Sequence, residues 1–419
     1  MKQKSTVEHT TRRAIEELRS EARSMLTEQI APFWLELALD PNGGMHAAID
    51  DQNRPVPGRS RGLVAEARHC WFFAALHRTT GSQRARAAAL HCADYLQQRF
   101  ADPLHGGYHW SVDAQGKAID TTKVVYGQVF ALYALSELFR ATADKRFLHS
   151  ADQLYRLLAA RAWDDTAGGF WEAVADDWSE PIVHRLSEHD VPCDKSMNTN
   201  LHALEALTAF TLAGGPAQDL LHRQLTVMAH KVFDGEQLGI YFDAAWEPLG
   251  RDRSYGHDIE AAWLLTEAAQ VLGDSAMLTT IGAVSDTLAA AAHRDAYRRD
   301  GGVVSEVSAD GTHDDLRIWW VQAEAAVGFF DAWQRGGQRD YLDAAVGAFG
   351  FISKYMKHPR GEFWSSVTAD GAPAPTLERA GPWKTGYHLG RACMELSQRA
   401  QQSIAAVTGH GAHAAHQGG

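Results

Sequence analysis

The chain has 419 residues, of which 45% are hydrophobic and 22% charged, an ordinary globular composition with apolar material for a large core. Its 40 Lys and Arg against 52 Asp and Glu give a formal net charge of −12, and the basic residues are scattered. That pattern excludes a nucleic-acid or anionic-membrane footprint and favours a neutral small-molecule partner. Cys70, Cys92, Cys193 and Cys393 lie far apart with no C-x-x-C pair, which argues against a zinc site or disulfide scaffold and fits reduced thiols in the cytosol. The N-terminal MKQKSTVEHTTRRAIEEL has positive charge but no apolar run behind it, so it does not read as a secretory signal. No stretch approaches the roughly 18 apolar residues of a membrane span.

Taken in chain order, a first helix is predicted over about residues 8–37. Glycine-aromatic punctuation then recurs as GGMHAAI, GGYHWSV, GGFWEAV, LGIYFDA, GGVVSEV and GEFWSSV, with markers at Gly44, Gly107, Gly169, Gly239, Gly302 and Gly361. The markers are spaced about 60 residues apart, a repeat of six units. Turn signals such as SVDAQGKA, EVSADGTH and SVTADGAP predict a short hairpin after each marker. An apolar helix follows, as in KVVYGQVFALYALSELFRATAD or HDIEAAWLLTEAAQVLG, and then a more amphipathic one, as in KRFLHSADQLYRLLAARA. A last apolar helix is expected over about 383–402, and the Ala, Gly and His-rich residues 404–419 are expected to be a disordered tail.

An apolar helix followed by an amphipathic one predicts an inner and an outer layer. Five such pairs lie between Gly44 and Gly361, and the first and last helices bring the total to twelve. The expected fold is therefore all-α, a closed (α/α)6 barrel forming one domain over residues 1–403, with hairpins and loops gathered at one end. An open superhelix would need polar end caps. The last helix, WKTGYHLGRACMEL, is instead apolar and aromatic.

Polar residues that an apolar helix should exclude stand near the start of every inner helix: Arg68, Tyr126, Asn198 with His202, His257, Trp320 and His388. In a barrel these converge on one mouth of the axis. SMNTNLHALEAL and SYGHDIEAAWLL each carry a His-x-x-Glu pair, His202 with Glu205 and His257 with Glu260, at i, i+3 on one helical face. A glutamate one turn away can fix the ring's tautomer and raise its basicity, and histidines on opposite sides of a carbon can remove and return a proton. Trp319, Trp320 and Trp383 offer aromatic faces that suit a sugar. Being adjacent, Trp319 and Trp320 are not both expected to face inward. Glu324 reads either as a further substrate-binding carboxylate or as a buried partner. Di-iron motifs run Glu-x-x-His, the reverse of the order here, so no metal is expected. No phosphate loop or dinucleotide fingerprint is present, so no cofactor is expected.

SMNTNLHALEA, SYGHDIEAAWLL, WWVQAEA and WKTGYHLGRA resemble the motifs of the N-acylglucosamine 2-epimerase superfamily, most nearly its cellobiose 2-epimerase branch, with the similarity running from Arg68 to Arg391. The resemblance implies the (α/α)6 barrel and a metal-free, nicotinamide-free epimerisation at C2 of an aldose. It implies that His257 and His388 are the general base and acid flanking C2, and that His202 assists ring opening and binds sugar oxygens. Arg68, Tyr126 and Asn198 would hold O1 and O2, Glu260 would orient His257 or join a relay, and Trp320 and Trp383 would stack on sugar rings. Two departures bear on substrate: Asn200 stands where the branch would carry another histidine, and KTGYHLGRA replaces a KCPYHN-like stretch. A β-1,4-linked disaccharide such as cellobiose or lactose is the preferred substrate, and a free monosaccharide such as mannose or glucose the alternative. A glycoside hydrolase or lyase on the same barrel would need two opposed carboxylates. A non-catalytic sugar-binding protein is the third reading. The protein is expected to be cytoplasmic, a monomer or homodimer, with no nucleic-acid or membrane partner.

Overall fold

The computed structural model describes the backbone of residues 2–374 and 378–414 and the side chains of residues 9–374 and 378–405. The first rod is α1 (Lys2–Met25) and α2 (Ala31–Glu36), joined by one wide π turn over Leu26–Ile30. Inner and outer helices then alternate. α3 (Leu63–Thr80), α5 (Val125–Thr142), α7 (Met197–Leu212), α9 (Tyr255–Leu272), α11 (Trp319–Gly336) and α13 (Tyr387–Ala414) are inner. The outer ones between them are α4 (Gln83–Tyr95), α6 (Lys145–Leu157), α8 (Gln218–Val227), α10 (Ser275–Ala291) and α12 (Arg339–Phe351).

Periodicity explains the layers. In α5 every residue from Val125 to Leu138 is buried, as a helix wrapped on all sides must be, whereas α6 buries only Phe147, Ala151 and Leu154, one stripe at i, i+4, i+7. Consecutive inner helices pack in chain order, α13 packs back on α3, and α1 covers α13, so the ring closes as an (α/α)6 barrel. The last inner helix begins at Tyr387, leaving 383–386 in the loop before it. It continues to Ala414, through the first part of the expected disordered tail, as an alanine-rich stretch favours. The remaining tail residues, 415–419, lie outside those described. Among the described residues no helix is long and apolar enough to cross a membrane, and all four cysteines are buried and free.

The strands correct the hairpin expectation. The strand leading into each inner helix pairs antiparallel with the strand of the next unit: Arg61–Gly62 with Ser111–Val112, Lys123–Val124 with Ala173–Val174, Lys195–Ser196 with Tyr241–Phe242. Arg253–Ser254 with Glu306–Val307 and Arg317–Ile318 with Ser366–Val367 continue the series, and Glu378–Ala380 returns to Ile49–Asp50 to close it. Among the described residues, hairpins inside a unit are full strand pairs only at Ser111–Val112 with Ala118–Asp120 and at Ala173–Val174 with Pro181–Ile182. Elsewhere they reduce to single bridges such as Val307 with His313. With two residues per strand, the pairing staples neighbouring units rather than forming an independent sheet.

The fourth residue of five inner helices grips the preceding glycine turn. Gln128 accepts from Tyr108 N at 3.0 Å and donates to Tyr108 O at 2.7 Å; Gln322 does the same at Val303 (2.7 and 2.8 Å), and Asn200 at Phe170 (2.8 and 3.1 Å). Glu66 and Asp258 accept from Met45 N and Leu238 N. The turns come that close because their glycines have no side chain. At Gly169, with φ +80°, a Cβ would sit 2.3 Å from Trp246 and 3.1 Å from Asn200 Oδ1. Asn200, the departure noted in the sequence, is thus a buried structural clamp. Among the described residues five π turns end the outer helices, Leu96–Phe100 through Ile352–Met356, and a sixth, Leu26–Ile30, lies inside the first rod; none has a counterpart in the sequence reading.

Candidate active site

Residues two, three and six of the inner helices face the axis at the loop end. A cavity of about 190 Å³ there is lined by Arg68, Tyr126, Asn198, His202, His257, Glu260, Trp319, Trp320, Trp383 and His388. The structure thus brings together ten of the eleven expected site residues; Glu324 lies one layer deeper. Trp319 and Trp320 both border the cavity, against expectation, because they occupy the first turn of α11, where successive side chains can both edge an open mouth. Trp320 lies against two histidines, its ring 4.8 Å from His257 and 5.7 Å from His388. Trp383 faces Tyr126 at 6.2 Å from across the mouth.

The three histidines differ in what holds them. His202 Nδ1 is 2.8 Å from Glu205 Oε2, as the His-x-x-Glu spacing predicts. Burial pushes the Glu205 pKa up, but Arg391, His202 and Tyr387 more than offset this and hold it at about 2. The Tyr387 hydroxyl donates to it at 2.7 Å, and Arg391 donates as well. An ionised Glu205 makes His202 Nδ1 the donor and leaves Nε2 as the acceptor. His388 Nδ1 is likewise held, 2.8 Å from Glu324 Oε1, so Glu324 is the buried partner rather than a cavity wall. His257 is the exception. Its Nδ1 is 2.8 Å from Ser254 Oγ, and Glu260 is turned away to accept from Arg391 at 2.5 Å. The expectation that Glu260 orients His257 is corrected here: the third helix position puts the imidazole beside the strand, and the guanidinium at the axis draws the sixth-position carboxylate.

Burial dominates the electrostatics. It lowers the His257 pKa to about 3, with His202 and Arg68 adding to the effect, and depresses His388 well below the ordinary histidine value with help from Arg68 and Arg391. Burial, then Glu324, raises Glu260 to about 7. Four of the lining residues each carry a buried polar atom without a hydrogen-bond partner: Arg68 Nε, Asn198 Oδ1, Glu260 Oε2 and Trp319 Nε1. Such orphans cost free energy in a folded core, and their concentration on one small cavity marks a place for a polar ligand. Arg68 also donates to the Tyr126 hydroxyl at 2.8 Å and lies 4.4 Å over the Phe130 ring.

Glu260, Glu324 and His388 are close enough for a cation, with ligand atoms within 4.8 Å of one another. Arg391 already fills that role: its Nη2 lies 2.5 Å from Glu260 Oε1 and 2.8 Å from Glu324 Oε1, a positive charge built into the chain. Among the described residues Glu260 is the sole carboxylate lining the cavity, so the opposed pair that glycoside hydrolysis requires is missing. Sequence reasoning passed over Ser254, Tyr387 and Arg391. Arg391 was recoverable: a lone arginine in the apolar run YHLGRACMEL is as anomalous as the histidines.

The family model for N-acylglucosamine 2-epimerase matches residues 43–392. A cellobiose 2-epimerase from Bacteroides fragilis is 36% identical, covering 90% of this chain and 98% of that protein. One from Ruminococcus albus is also 36% identical, covering 91% and 98%. The solved structure of cellobiose 2-epimerase from Spirochaeta thermophila superposes with a TM-score of 0.86 at 34% identity, covering 93% of this chain and 98% of that one. The chain belongs to the N-acylglucosamine 2-epimerase family and is a sugar 2-epimerase.

Proposed function

We propose that the protein epimerises a β-1,4-linked disaccharide of the cellobiose or lactose type at C2 of its reducing-end aldose, without metal or nicotinamide. The observation that carries this is that His257 and His388 both lie against Trp320, their ring centroids 4.8 and 5.7 Å from its own, in a cavity also lined by Arg68, Tyr126 and Asn198. With the open-chain aldose resting on Trp320, one histidine Nε2 takes the C2 proton. The C–H electrons form the C1=C2 bond of a cis-enediolate, and the charge that collects on O1 is met by Arg68 and Tyr126. Rotation about C2–C3 turns the other face of C2 to the second histidine, which returns a proton there. His202, its tautomer fixed by Glu205, serves ring opening. Protonation at C1 instead would give a ketose as a side product.

Relatives named as cellobiose 2-epimerases support the disaccharide. A side chamber of about 260 Å³ shares Asn198 and His257 with the main cavity. We assign residues 1–403 to one catalytic domain acting in the cytoplasm as a monomer or homodimer. Incubation with cellobiose and with mannose tests the substrate: faster formation of the C2 epimer from cellobiose is expected, and faster turnover of mannose would replace this reading with the monosaccharide one.

A further inference from the structure

Ser254 occupies the N-cap of α9 yet does not cap it. At the equivalent place in the preceding unit, Ser196 accepts from the backbone N–H of Thr199 at 3.0 Å, the usual bond to the third helical residue. In α9 the third residue is His257, and the serine hydroxyl has been diverted from its backbone to its ring, 2.8 Å from Nδ1. A neutral hydroxyl alone does not fix a tautomer, because it both donates and accepts. If it donates, Nδ1 is the acceptor, Nε2 carries the hydrogen, and His257 is no longer a base toward the cavity.

The strand pairing supplies what is missing. Ser254 stands directly opposite Glu306 across the two-residue ladder, and Ser254 Oγ lies 3.5 Å from Glu306 Oε1. Glu306 lines the side chamber beside Ser254 and His257. A carboxylate there accepts a hydrogen bond from the serine hydroxyl, so the serine oxygen is left to accept from Nδ1–H. The imidazole lone pair then sits on Nε2.

We propose that Glu306 and Ser254 are positioning residues that hold His257 as the Nδ1–H tautomer, the neutral-serine counterpart of the direct carboxylate contacts at His202 and His388. The logic is that of a base oriented by a third group, extended by one hydroxyl. It rests on the reading of His257 as a proton-transfer group. Neither residue touches the reacting carbon.

The test uses Ser254→Ala, Ser254→Thr and Glu306→Ala in the full chain, with kcat and KM for C2 epimerisation of cellobiose and 15N spectra of histidine-labelled protein, the His257 signals being assigned by their loss in His257→Ala. Ser254→Ala and Glu306→Ala are expected to lower kcat about 10- to 100-fold, the effect typical of removing a ligand-orienting partner. KM should stay within about twofold. Ser254→Thr, which keeps the hydroxyl, should recover most of the rate. The His257 signals should move from a single Nδ1–H tautomer toward a mixture in both alanine variants. Unchanged kcat, an unmoved tautomer, or a raised KM at constant kcat, which would make Glu306 a sugar contact, overturns the proposal. If Ser254→Ala does not fold, Glu306→Ala on its short surface strand decides the matter. Full turnover in His257→Ala would remove the base assignment itself, while the tautomer spectra would still judge the relay.

Discussion

A histidine buried in an apolar helix is conspicuous in a sequence, but the partner that fixes its chemistry is not. His202 and Glu205 are three residues apart and were legible together. His388 and Glu324 are 64 apart, and Arg391 and Glu205 are 186 apart, so no local pattern joins them. The site's members were therefore readable as anomalies, while its wiring required the fold. His257→Ala and His388→Ala should each lose at least about a thousandfold in kcat with the circular dichroism spectrum intact, as removal of a proton-transfer group should. Retention of a tenth of the wild-type rate in either would contradict this. Glu172 gives a test of burial instead. It lies beneath the side chamber, and burial raises its pKa to about 7. A carboxyl with a raised folded pKa keeps its proton where the unfolded chain releases it, so it subtracts stability as pH rises from about 4.5 to about 7. Glu172→Gln should thus gain up to about 3 kcal/mol over the wild type between pH 5 and pH 8. Urea melts at the two pH values read this, and a gain that does not grow with pH would refute it.

Within α7, two asparagines of the same chemistry serve different ends. Asn198, at the second position, lines the cavity and carries an unpartnered Oδ1, while Asn200, at the fourth, clamps the Gly169 turn through both the oxygen and the nitrogen of its amide. Asn200→Ala should destabilise by about 2 to 4 kcal/mol, since it orphans the buried Phe170 N–H and empties space at once. Asn198→Ala should reduce turnover with little change in Tm. Thermal melts and kinetics on the same pair separate the roles, and the reverse pattern would exchange them. The helices themselves were legible, because their periodicity is local. The inter-unit strand pairing was not, since two-residue strands carry no alternation to read. The π turns were also hidden: a single wide turn changes no residue pattern.

At the scale of the whole molecule, repetition made the architecture readable. Six glycine-marked units, apolar and amphipathic helices in alternation, and unmatched helices at both ends leave few arrangements other than a ring. Closure is doubly secured, by α13 on α3 and by Glu378–Ala380 on Ile49–Asp50. A closed ring has no end unit to fray, in contrast to an open solenoid. Calorimetry should accordingly give one unfolding transition, with a truncation before Tyr387 failing to yield soluble protein. Two separated transitions would divide the chain into independent parts. The ring also gathers polar side chains from six helices at one mouth, so activity depends on closure.

The most direct test of the central claim is proton exchange at C2. The protein is incubated in D2O with chelator and cellobiose, and the C2 proton is followed by NMR. Deuterium appearing at C2 together with the epimer is the result expected of deprotonation and reprotonation by buried histidines. Epimer formation without solvent deuterium in any product molecule, or loss of all turnover on chelation, would contradict the account.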